Sequence, residues 1–219
     1  MNRTTALRSA SAYNGPAWRD IPPWLEVLAV QLPGRERRKA EACPRTAQEA
    51  AALVVSGLAR FFAPGSVPTV FFAHSMGTWV AFECIRELRR RSLQPPSLLI
   101  VSNLAAPQTA PDVRPWRRNA TLSESEFKQE CRAWGVNALV LKDSMWREFH
   151  QPFRRDFTIF DEYAYAEEPP LEGTAIVAFL SAGDPKITRA LVAPWADQSV
   201  RHCAPPLGPS ICAAKDDIL

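Results

Sequence analysis

A serine set between an apolar run and an amphipathic run is the feature of this chain best suited to covalent chemistry. Residues 69–73 read Thr-Val-Phe-Phe-Ala, and His74-Ser75-Met76-Gly77 follow at once. From Thr78 onward, Val80, Ala81, Cys84, Ile85 and Leu88 recur at helical intervals. A serine on a strand-to-helix turn is held in a strained conformation that lifts its Oγ above the sheet. The helix start offers the Met76 amide to a developing oxyanion. Such an arrangement suits nucleophilic attack by Ser75 on an acyl carbonyl. The segment departs from Gly-x-Ser-x-Gly only at its first position, where Ala73 adds a methyl group in the tightest part of the turn. The alternative reading is an ordinary serine in a βα turn. A serine nucleophile also needs a base, and the chain holds three histidines: His74 inside the turn, His150, and His202.

The elements that must position Ser75 are legible on both sides of it. Leu25–Gln31 is a short β-rich run stopped by Leu32-Pro33-Gly34, and it predicts a strand. Thr46 is an N-cap for a helix reaching Phe61, with Ala50, Leu53, Val54, Leu58 and Phe61 on one face. Residues 69–73 predict a central parallel strand, apolar on both sides. Thr78–Arg91 predicts a helix whose last residues, Arg89-Arg90-Arg91, complement its dipole. Further strands are expected at 97–102 and 174–180. The alternation implies an α/β fold with a mostly parallel sheet and helices on both faces.

Between the last two strands, residues 110–165 are rich in Trp, Phe and charge, and Ser123-Glu124-Ser125-Glu126 resembles a capping box. They predict a helical lid insertion. Phe127, Trp134, Leu139, Leu141, Met145, Trp146 and Phe149 could line an acyl channel, or simply pack the insertion onto the core. Residues 200–219 lose all periodicity and read as an irregular tail. The whole, 1–219, reads as a single domain.

With 47% hydrophobic and 22% charged residues the chain can bury a core, and a net charge of +3 does not make nucleic acid a default partner. No run approaches the roughly 18 apolar residues of a membrane span, and no signal-peptide pattern opens the chain. The expectation is therefore a cytoplasmic monomer. Five cysteines, widely spaced and without a Cys-x-x-Cys pair, suggest neither disulfides nor a zinc site. No metal or redox cofactor is expected.

At this point the residues resemble a known family, the type II thioesterases that accompany polyketide, nonribosomal peptide and fatty acid synthases. Leu32-Pro33-Gly34-Arg35 is similar to the family's Leu-Pro-Gly-Arg block, and His74-Ser75-Met76-Gly77 to its nucleophile motif. Ser102-Asn103-Leu104-Ala105-Ala106-Pro107 resembles its segment after the next strand, and Arg154-Arg155-Asp156-Phe157 with Tyr163 its lid motif. Ser181-Ala182-Gly183-Asp184 resembles the stretch that carries its catalytic acid. The resemblance implies an α/β-hydrolase fold and hydrolysis of acyl thioesters carried on an acyl-carrier protein or coenzyme A. It implies Ser75 as nucleophile, Asp184 as the acid that orients the histidine, and the Met76 amide as one oxyanion donor. Asp184 also follows an apolar strand, where triad acids sit, although a turn aspartate in Gly-Asp-Pro is the plainer alternative.

The pattern breaks at both ends. His202 is the sole histidine after Asp184, but it follows closely and lacks the family's Gly-x-His-Phe context. Thr4–Ser11 aligns with the end of the family's oxyanion loop, which would make Ala6 the second donor, yet the loop's glycines are here Leu7 and Arg8. The family's first strand has no counterpart. These departures carry the expectation of a truncated thioesterase-like chain, with a catalytically silent carrier-binding protein as one alternative. A carboxylesterase or acyltransferase on the same fold is another. The basic runs 35–39 and 89–91 could meet an acidic carrier protein, or be solvated charge near helix ends.

Overall fold

A computed structural model describes residues 22–182 and 184–200. Among them three strands, β1 (Val70–His74), β2 (Leu98–Ser102) and β3 (Ala175–Phe179), form a parallel sheet in the order β1-β2-β3. Pairing is in register: Val70 faces Leu98 and Leu98 faces Ala175, while His74 faces Ser102 and Ser102 faces Phe179. Each strand is a largely apolar run free of glycine and proline, so nothing within it competes with ladder formation.

Helix α1 (Ala47–Leu58) starts at Thr46, whose Oγ1 accepts the Glu49 amide at 3.0 Å. Helix α2 (Gly77–Arg90) leaves β1 directly. The two helices pack against each other, and α2 lies on β1 and β2. The residues α1 buries are Ala47, Ala50, Ala51, Val54 and Val55, small side chains that allow a close approach to α2. Leu53, expected on that face, is instead 47% exposed. Phe71, Ala73, Leu99, Val101, Ile176 and Ala178 point into the core beneath α2 and the 3-10 turn Ala193–Gln198. Alternate residues of the same strands are less covered, with Val70 at 49% and Phe179 at 37% exposure. The expectation of a strand apolar and buried on both sides is therefore met on one face of β1 alone among the described residues.

The strand expected at Leu25–Gln31 does not form. The segment is irregular, since a strand requires a ladder partner and the described sheet gives it none. It is followed by a tight turn at Gly34, whose φ of +82° suits glycine; a β-carbon there would collide with Cys43 Sγ. Residues 201–219, read from sequence as irregular, lie outside the described residues.

The 110–165 segment carries α3 (Glu124–Ala133) and α4 (Asp143–Asp161). The α3 start is a full capping box: Ser123 Oγ accepts the Glu126 amide and the Glu126 carboxylate accepts the Ser123 amide. The Arg117 guanidinium, and after it the Ser123 hydroxyl and amide that donate to the carboxylate, hold the Glu126 carboxyl down to about 2. Phe127, Leu141 and Trp146 are buried, whereas Leu139 and Met145 face outward. Phe127 meets Phe157 edge-on and Trp116 meets Phe160 in the same way, so the aromatic residues largely pack one another. Arg154 fastens α4 to the preceding loop through Asn119 O and Oδ1 and Leu122 O. Arg35 pairs with Asp156. Tyr163 stacks on Trp79 at 4.6 Å and donates to Glu83 Oε1 at 2.8 Å, which ties the end of the segment to α2. None of the described helices is long and apolar enough to cross a membrane.

Asp161, at the end of α4, is buried, and its Oδ2 accepts the Asn119 amide at 2.6 Å. Burial pushes its carboxyl up to about 6 from an ordinary value of 3.8. A raised folded value means that the protonated acid adds stability in full below the unfolded value, and that this contribution is lost as pH rises through about 6. Wild type should thus lose up to about 3 kcal/mol relative to Asp161→Asn between pH 3 and 7. Urea unfolding of both proteins across that range checks it; parallel pH profiles would contradict it.

Candidate active site

Parallel pairing sends all three strands out of the sheet at one edge, and the ladder continues past the strand ends. The Ser75 amide donates to Ser102 O at 2.9 Å, and the Asn103 amide donates to Phe179 O at 3.0 Å. Ser75 has φ +51° and Asn103 has φ +52°, both in the left-handed region. For serine this conformation is strained, as the turn between β1 and α2 requires. Ser75 O accepts the Thr78 amide at 2.8 Å, closing the turn, and the Ser75 side chain is half-buried.

Met76 is the N-cap of α2, with φ −44° and ψ −34°. Its amide stands at the helix start, where N–H groups have no intrahelical acceptor and the dipole favours negative charge. Ala73, the departure from glycine, is accommodated as a buried strand residue with 1% exposure. His74 Nδ1 lies 3.1 Å from Ser102 Oγ, so this ring crosslinks the ends of β1 and β2.

Asp184 follows β3 at the same edge. Its Oδ1 accepts the amides of Lys186 at 2.9 Å and Ile187 at 2.8 Å, and its Oδ2 accepts Asn103 Nδ2 at 3.0 Å. The Lys186 ammonium reaches Glu130 Oε1 at 2.7 Å, which joins the loop carrying Asp184 to α3. The sequence pattern singles out Asn103 only as part of a longer segment and gives no role to Ser102 or Lys186. An asparagine placed directly after a strand, where a left-handed turn is needed, is the signal that could have found the first.

Of the sequence-predicted site residues, Ser75, Met76 and Asp184 all stand at this edge of the sheet. Ala6 and His202 lie outside the described residues. His150 belongs to α4, with Nδ1 at 3.1 Å from Trp146 O. A cleft of about 300 Å³ lies between residues 28–33 and α1, and neither Ser75 nor Asp184 lines it. It is separate from the edge that carries the serine and the acid.

The family model described as Thioesterase domain matches residues 8–203. The chain belongs to that family. It is 31% identical over 184 residues to the gramicidin S biosynthesis protein GrsT of Aneurinibacillus migulanus, covering 83% of this chain and 69% of the relative. To thioesterase PikA5 of Streptomyces venezuelae it is 33% identical over 178 residues, covering 80% of this chain and 61% of that protein. The RedJ thioesterase of the prodiginine biosynthetic pathway in Streptomyces coelicolor superposes with a TM-score of 0.75 at 28% identity, covering 88% of this chain and 70% of RedJ. The type II thioesterase BorB from the borrelidin biosynthetic cluster superposes at 0.71, also with 28% identity, covering 88% and 74%. The parallel sheet with α2 leaving at Ser75 is thus an α/β-hydrolase fold, and the relatives include type II thioesterases. The chain spans between about three-fifths and seven-tenths of the two curated relatives' lengths.

Glycine at position 75 should relieve the strain of the left-handed backbone, and alanine should not. Ser75→Gly should therefore unfold at higher urea than Ser75→Ala, by about 1 kcal/mol. Equal midpoints would mean that the turn carries no strain.

Proposed function

We propose that this chain is a serine thioesterase that releases acyl groups as free acids from the phosphopantetheine arm of a carrier protein or from coenzyme A. The observation that carries the reading is Ser75, held at φ +51° between β1 and α2 in a chain of the thioesterase family. Ser75 Oγ attacks the thioester carbonyl carbon while a base takes its proton, and the carbonyl oxygen becomes an oxyanion at the α2 start. Collapse breaks the C–S bond, the proton goes to the departing thiolate, and the acyl group stays on Oγ. Water then attacks the acyl-enzyme under the same base and frees the acid and the serine. In this scheme Asp184 orients the base, His202 is that base, and the Met76 and Ala6 amides are the oxyanion donors. The covalent step requires no cofactor beyond the arm that carries the substrate.

The partners in this reading are acyl-carrier domains of a polyketide, nonribosomal peptide or fatty acid synthase, met by a cytoplasmic monomer. The names of GrsT and RedJ, each tied to a biosynthetic pathway, support a synthase as the source of substrate.

The test is release of free acid from an acyl-carrier or acyl-CoA thioester, run beside Ser75→Ala and Asp184→Asn. Ser75→Ala should lower kcat by at least about a thousandfold, since loss of the nucleophile removes the covalent route. His202→Ala should fall with it. Equal turnover in wild type and Ser75→Ala would sink the reading, and faster cleavage of oxygen esters than of thioesters would favour a carboxylesterase.

A further inference from the structure

Asn103 stands one residue past β2, and its geometry bears on the group at the next exit, past β3. Its φ of +52° is one that few non-glycine residues adopt, and asparagine is among the few that tolerate it. Its amide N–H is fixed by Phe179 O at 3.0 Å, so the backbone there has little freedom. From that position the side chain spans to the chain leaving β3. Asn103 Oδ1 accepts the Ser181 amide at 2.8 Å, and Nδ2 donates to Asp184 Oδ2 at 3.0 Å. The orientation of the side-chain amide follows from its partners. Ser181 N can only donate and a carboxylate can only accept, so one flip state satisfies both ends.

The consequence falls on Asp184. Its Oδ1 is engaged by two backbone amides of its own turn. Its Oδ2, the oxygen left for a third group, is aimed by Asn103. We propose that Asn103 is the positioning residue of the Asp184 carboxylate: it binds the β3 exit loop with Oδ1 and sets the direction of Asp184 Oδ2 with Nδ2. The role in catalysis rests on the thioesterase reading above, in which Asp184 orients the base. The left-handed backbone is part of the device, because it turns the side chain from the end of β2 toward the end of β3.

Two substitutions separate the donor from the backbone. Asn103→Gly keeps the left-handed conformation without strain and removes the side-chain amide. Asn103→Asp keeps an acceptor for Ser181 N and tolerates the same φ, but sets a second carboxylate against Asp184. Thioester turnover by Asn103→Gly should show kcat lower by about tenfold with KM unchanged, the mark of a group that acts on the transition state rather than on binding. Asn103→Asp should be lower still, by about a hundredfold, while both variants melt near the wild-type temperature. Unchanged kcat in Asn103→Gly overturns the proposal, as does a loss confined to KM. A second measurement does not need turnover. In 15N-labelled protein the Asn103 side-chain amide proton facing Asp184 should move upfield in Asp184→Ala, and no movement also overturns the proposal. If that proton moves but wild type hydrolyses no thioester, the positioning stands and it is the thioesterase reading that fails.

Discussion

The in-register parallel pairing of β1, β2 and β3 is the constraint on which the rest of the site depends. Because all three strands run the same way and end level with one another, the chain must leave the sheet three times at one edge. Residues far apart in sequence are thereby delivered to one neighbourhood without any long-range design of their side chains. The two hydrogen bonds that extend the ladder, Ser75 N to Ser102 O and Asn103 N to Phe179 O, then fix the first residue after β1 and after β2. Both of these residues turn left-handed, so the chain is redirected where the pairing stops. One exit leads into α2 and creates a helix start beside the serine; the other sends a side-chain amide sideways. The sheet thus sets position and the left-handed residues set direction.

Around that edge the remaining structure acts by attachment. Helix α2 is anchored below the site by Trp79, whose indole donates to Ala105 O at 2.9 Å and whose face receives Tyr163. Tyr163 is buried against the Glu83 carboxylate, and burial together with that charge keeps its hydroxyl protonated far above the usual phenol range. Arg114, also buried, donates to Phe160 O and Tyr163 O at the end of α4, and its guanidinium lies 4.9 Å from the Trp79 ring. The helical segment is therefore joined to the nucleophile's own helix by stacked rings and a caged cation. It is also joined to the acid's loop by the Lys186–Glu130 pair.

Much of this was legible in the residues. The strand-turn-helix around Ser75 could be read because a continuous apolar run gives way to helical spacing at one serine, and the helix start at Ser123 because a capping box is a local motif. The parallel sheet followed from alternation of elements. The failures have a different origin. Leu25–Gln31 has the composition of a strand, but strand formation depends on a neighbour that composition does not reveal. Leu53 was placed on the packed face of α1 by helical spacing, whereas close helix approach selected the smaller side chains. The Arg35–Asp156 and Asn103–Asp184 contacts join residues distant in sequence. Each side chain alone looks like an ordinary solvated group, and only the fold supplies its partner.

The concentration of aromatic rings in and beside residues 110–165 has a spectroscopic consequence. Trp116, Trp134 and Trp146 lie within that segment, and Trp79 sits against Tyr163 at its end. Four of the seven tryptophans therefore report on the junction between the insertion and α2, and none lies in the strands of the described sheet. A fluorescence trace thus follows side-chain packing at that junction, whereas a far-ultraviolet dichroism trace sums the helices of the whole fold. Loosening of the helical segment over an intact sheet would change colour before it changed secondary structure.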